Sequence, residues 1–105
     1  GKVQESIPHY QKGIQLSPKV YHIFRNLGKN LHELGRNAEA IPVLQKAVEL
    51  NPQCDVSWYN LGSALGAEKR VAEGKVALLN SVRIRVKGDP VKMAEFEAMF
   101  DGVKE

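Results

Sequence analysis

A chain of 105 residues with 43% hydrophobic side chains is long enough for one folded domain. Its single cysteine, Cys54, rules out an internal disulfide framework and fits a reducing, cytoplasmic compartment. No apolar run approaches the ~20 residues of a membrane span, and fifteen Lys/Arg against twelve Asp/Glu leave a small net charge of +3.

In chain order, residues 4–17 carry Ile7, Tyr10 and Ile14 at helical spacing, and Ser17-Pro18 stops the helix. The next helix covers 20–34, with Tyr21, Phe24, Leu27, Leu31 and Leu34 on one stripe and Gly35 as its C-terminal stop. Asn37 is placed to cap a helix over 38–50, which ends at Asn51-Pro52. Asp55 is placed to cap the helix 56–67, after which Lys69-Arg70 stands where a glycine turn is expected. Pro8 and Pro42 are expected near the first turn of their helices, where a missing N–H costs little.

The segment 71–87 carries Ala72, Leu78, Leu79, Val82 and Val86 at helical spacing. Val82-Arg83-Ile84-Arg85-Val86 alternates like a strand, but no second strand exists to pair with it, so the spacing predicts a helix. Gly88-Asp89-Pro90 breaks the chain, with Asp89 as cap and Pro90 at the first position of a last helix, 90–101. There Met93, Phe96 and Phe100 are expected to pack on helix 71–87, while Glu95, Glu97 and Asp101 face water.

The chain repeats at an offset of 34 residues. Ser6-Ile7-Pro8 through Gln11-Lys12 returns as Ala40-Ile41-Pro42 through Gln45-Lys46, and Phe24-Arg25-Asn26-Leu27-Gly28 returns as Trp58-Tyr59-Asn60-Leu61-Gly62. A fixed period of this length marks a stacked array. Trp58-x2-Leu61-Gly62-x2-Leu65, with its copy from Phe24, and Ala40-x3-Leu44-x2-Ala47-x4-Pro52 resemble the two halves of a tetratricopeptide repeat. The resemblance covers roughly the first 88 residues. It implies an all-α, right-handed superhelical array of antiparallel helix pairs. Residues 1–20 read as the second helix of a truncated repeat, 21–54 and 55–88 as full repeats, and 89–105 as a capping helix and tail. A chain that opens on Gly1 within a repeat reads as a segment of a longer protein.

In that family the first helix of each repeat lines a concave groove that holds extended peptides. The resemblance therefore implies a protein or peptide partner at His22, Arg25, Asn26, Lys29 and His32 on the first groove helix. On the second it implies Tyr59, Asn60 and Ser63, with Val56 beside them. Asn26 and Asn60 hold equivalent positions, and an amide both donates and accepts. The pair resembles the asparagine ladder in the repeat domain of O-GlcNAc transferase. Arg25, Lys29 and Asn60 are also similar to the carboxylate clamp of chaperone-binding members. However, Lys29 stands where that clamp uses asparagine, and Tyr59 interrupts the polar set. The rival readings are a spacer or self-association module, and a substrate-recruiting segment of a larger enzyme such as a glycosyltransferase.

Catalysis, metal and nucleic acid find little in the sequence. His9, His22 and His32 lack the i,i+4 spacing of a metal pair, and Cys54 has no evident base. No cofactor motif is present, since Gly28 and Gly62 fall inside helices rather than in a phosphate-binding loop. Lys69, Arg70, Lys75, Arg83, Arg85 and Lys87 make 69–87 basic, but no aromatic is interleaved, so the stretch reads as a solvated helix face. An apolar strip around Ile7, Tyr10 and Ile14, lacking its partner helix, is expected to be exposed and to invite self-association.

Overall fold

Five short corners, each only three or four residues long, force successive helices to fold back on one another. A computed structural model describes residues 2–17, 19–87 and 89–101. It contains α1 (Lys2–Leu16), α2 (Tyr21–Glu33), α3 (Asn37–Leu50), α4 (Asp55–Ala67), α5 (Val71–Arg85) and α6 (Pro90–Asp101). No strand occurs among the described residues, and the alternating stretch from Val82 is helical through Arg85. The expected breaks at Pro18 and Gly88 lie outside the described residues, as do the side chains of Met93, Phe96, Glu97, Phe100 and Asp101. The result is an all-α solenoid like that of the tetratricopeptide repeats. Its radius of gyration of 14.6 Å exceeds the ~13 Å of a compact chain this long, as stacking along one axis requires.

Each helix packs on its sequence neighbour, and α2 also touches α4, so α4 is held by α2, α3 and α5. Leu27, Leu31, Ala40, Ile41, Leu44, Leu61, Ala64, Leu65 and Ala77 form one continuous buried cluster through these helices. Burying a Leu or Ile of this kind contributes about 1.5–3 kcal/mol. Glycine sets the spacing between helices. A Cβ on Gly28 would lie 2.4 Å from Leu44 Cγ, and one on Gly62 would lie 2.6 Å from Leu78 Cγ and 3.0 Å from Gly74 O. Positions 28 and 44 recur as 62 and 78, so one close approach is used twice.

The corners repeat as closely as the helices. At the end of α2, Gly35 N–H donates to His32 O and Arg36 N–H to Leu31 O. At the end of α4, Lys69 N–H donates to Gly66 O and Arg70 N–H to Leu65 O. Both are Schellman closures, which need a left-handed residue at their centre. Gly35 supplies it at φ 78°, while Lys69 adopts φ 63° against its own Cβ. The next helix is then tied by a repeated ion pair. Arg36 binds Glu39, and Arg70 Nη2 lies 2.6 Å from Glu73 Oε2. Hydrogen bonding to these arginines holds both carboxyls below the usual carboxylate range.

Several local expectations are corrected. Asn37 and Asp55 do not cap their helices; they are the first helical residues, and Arg36 and Cys54 precede them without a side-chain cap. The two side chains bond across the fold instead, Asn37 to His32 and Asp55 Oδ2 to Arg85 Nε at 3.2 Å. At Asp89 the expected cap is present, with Lys92 N–H donating to Asp89 Oδ1 at 3.1 Å. Pro8 and Pro42 lie in the second turn of α1 and α3, not the first. Both are solvent-exposed, so the carbonyls they leave unpaired face water. The strip on α1 is not exposed either. Ile7 is buried, and Tyr10 and Ile14 pack half-buried on the core, because α2 covers them.

Candidate functional site

The groove positions follow from the repeat offset. His22, Arg25, Asn26 and Lys29 on α2 are matched 34 residues later by Val56, Tyr59, Asn60 and Ser63 on α4, and these two helices touch. At 100° per residue, Val56, Tyr59, Asn60 and Ser63 fall on the side of α4 away from Trp58, Leu61 and Leu65. Val56 and Tyr59 remain 44% and 51% exposed, which is unusual for large apolar side chains on a helix packed on three sides.

On α2, an aromatic residue outside the predicted set organises the neighbours. The Tyr21 ring lies 4.0 Å from that of exposed His22, and the Arg25 guanidinium sits 5.9 Å from the same ring. Arg25 Nη1 also donates to Cys54 Sγ at 3.8 Å. No carboxylate pairs with Arg25 among the described residues. Lys29, by contrast, is drawn to Glu33 at 3.8 Å. His32 is half-buried, and its Nδ1 pairs with Asn37 Oδ1 at the corner into α3.

The two asparagines differ. Asn26 is half-buried with no side-chain hydrogen bond among the described residues. Asn60 is only 8% exposed, and its Nδ2 is buried without a partner. The expectation of two solvent-facing amides therefore fails at the second rung. Both α2 and α4 pack against three helices, but only the α4 amide is drawn into the packing. Ser63 stays half-buried at the edge.

Cys54 is the other residue the sequence undervalued. Its thiol lies at the start of α4, beside Arg25 and Ser57. Partial burial pushes the thiol up, but hydrogen bonds from Ser57 and the Arg25 guanidinium outweigh this and hold it below its ordinary value. Ser57 is itself fully buried, and its hydroxyl has no hydrogen-bond partner among the described residues. The only sequence signal for this cluster is Arg25 at i+4 from Tyr21; its approach to Cys54, 29 residues away, is a product of the fold.

No helix among the described residues is long and apolar enough to cross a membrane. Comparison with curated proteins gives no match. The family model of the TPR repeat matches residues 28–68, from the middle of α2 through α3 and α4 to the corner held by Lys69. Repeats of this family generally mediate protein–protein interaction and are typically non-catalytic scaffolds. That match supports assignment of residues 28–68 to the TPR repeat, and in-register copies of its pattern stand on either side.

Proposed function

We propose that this chain binds an extended peptide or partner segment across the face shared by α2 and α4, without catalysis. In this reading, 21–54 and 55–88 are the two full repeats, 1–20 supplies the second helix of a preceding one, and 89–105 covers the end. Tyr59 and Val56 offer apolar contact, Arg25 offers a cation, and Asn26 and Ser63 offer hydrogen bonds. His22 and Lys29 line the rim. Asn60 and His32 hold the face in shape rather than touching the partner.

The observation that supports this best is the combination at equivalent positions. Two large apolar side chains stand open on α4, and the matching stretch of α2 carries an arginine that no carboxylate neutralises among the described residues. Tyrosine and arginine are the residue types that most often dominate binding energy at interfaces.

The test is a pull-down from source lysate with the wild-type chain and with the Arg25→Glu/Tyr59→Ala variant, both checked for unchanged helicity and melting. A partner held by wild type and lost by the variant is expected. Equal capture by both would refute the groove and leave the spacer reading.

A further inference from the structure

The opposite side of α4 carries a second opening, and it does not rest on the reading above. α3 and α5 both pack on α4, but among the described residues no Cα of one comes within 8 Å of a Cα of the other. Between them runs a cleft of about 350 Å³, floored by Trp58, Leu61 and Leu65 and walled by Val48 and Val76. Val76 is 58% exposed. On the other side of Trp58 lies a second cavity of about 450 Å³, lined by Pro52, Ile84, Arg83 and Lys87. Trp58 borders both, and its indole N–H is fixed on Pro52 O at 2.8 Å. The ring is therefore a rigid wall and not a loose side chain.

The two ends of this cleft differ in charge. At the α3 end, Glu73 is already engaged by Arg70 at 2.6 Å. At the far end, Arg83 and Lys87 lie one turn apart on α5 and its following turn, on the same side as Asn80 and Ile84. Arg83 reaches only Asn80 Oδ1, at 3.4 Å, and Lys87 has no side-chain partner among the described residues. Arg85, between them, is the one committed to Asp55. The C-terminal end of α5 presents about half a negative charge, too little to balance two cations. The cleft is thus apolar along its length and positive at one end.

We infer that this α3–α5 cleft binds an acidic peptide segment, with apolar side chains lying along Leu61, Val76 and Trp58 and its carboxylates reaching Arg83 and Lys87. The volumes suit a few side chains and fall in the range of ordinary ligand sites. Carboxylate on guanidinium fixes direction as well as affinity, so the acidic end sits at the α5 terminus. Single-stranded RNA fits less well, because one edge-fixed tryptophan offers no run of stacking surfaces and the walls are apolar.

Trp58 is the single tryptophan of the chain, so in the folded protein all tryptophan emission and the one indole N–H resonance come from the wall of this cleft. The probes are three synthetic nonapeptide pools built on Leu, Phe and Ser: one with Asp/Glu, one with Asn/Gln and one with Lys/Arg at the remaining positions. A uridine oligonucleotide is the fourth probe. The acidic pool is expected to perturb Trp58 at concentrations at least about tenfold below the other pools, since like charges suppress the wrong partners. Arg83→Glu with Lys87→Glu should raise the required concentration at least tenfold, and Val76→Ser should raise it as well. These are exposed or rim positions, so unchanged far-ultraviolet circular dichroism is the fold control. Arg25→Glu, on the opposite face, should change nothing. Equal response to acidic and neutral pools, indifference to the charge reversal, or equal loss with Arg25→Glu would overturn the inference. So would an oligonucleotide response that exceeds that of the acidic pool.

Discussion

Replacing Gly28 by alanine should destabilise the fold even though alanine is the better helix former. In an open helix the change is favourable by about 0.8–1.0 kcal/mol. Here the added Cβ would meet Leu44 at 2.4, 2.5 and 3.2 Å, on a side chain that is fully buried and has nowhere to move. Overpacking costs about 1–3 kcal/mol, and contacts of 2.4 and 2.5 Å place this one in the upper half of that range, so the net loss after the propensity gain is about 1–2 kcal/mol. For a domain of this size each kcal/mol lowers the melting temperature by about 4–8 °C. Urea unfolding followed by circular dichroism and Trp58 fluorescence measures it. Gly66→Ala is the internal control: no atom lies within 4 Å of its added Cβ, so only the propensity gain remains and the protein should become more stable. Leu44→Val combined with Gly28→Ala should cost less than the sum of the two single changes, because the smaller side chain makes room. A Gly28→Ala protein as stable as wild type, or strict additivity with Leu44→Val, would refute the claim that this contact sets the helix spacing.

Three further outcomes are expected. Lys69→Gly should stabilise by about 0.5–1 kcal/mol, since lysine holds a left-handed backbone there, and Gly35→Lys should cost about as much; thermal melts of both decide it. Ser81→Ala should cost about 1–2 kcal/mol in urea unfolding, because its buried hydroxyl donates to Asp55 O at 2.9 Å and ties the end of α5 to the start of α4. The Cys54 thiol should react with iodoacetamide with a pH midpoint below the ordinary thiol value, and Arg25→Gln should move that midpoint up. Because the folded value lies below the unfolded one, the stability this group contributes is present at high pH. It is lost as the pH falls through the folded value.

The fold was legible because period and helix spacing agree. Phe24 through Gly28 and Trp58 through Gly62 set the array, and the helix bounds fall within two residues of those the sequence predicts. What the sequence obscured follows from interactions between helices. Asn37 and Asp55 look like caps, yet their side chains find better partners in His32 and Arg85, residues that only folding brings near. Asn60 looks like the twin of Asn26, yet its side chain is buried where that of Asn26 is only half-buried. The cleft beside Trp58 was invisible for the same reason. It is a gap between α3 and α5, and no pattern along either helix records the distance between them.

The nearest-neighbour packing also determines how the molecule yields to force. Among the described residues α1 is held only by α2 and α6 only sparsely by α5, whereas α2 and α4 are each gripped by three helices. Tension applied at the two ends therefore meets no single barrier. The chain should pay out helix by helix from both sides, at low and rising load, with the α2–α4 core the last to go. A module built this way behaves as an extensible link that can lengthen by tens of ångströms and recoil, keeping its central turn intact while its flanks give.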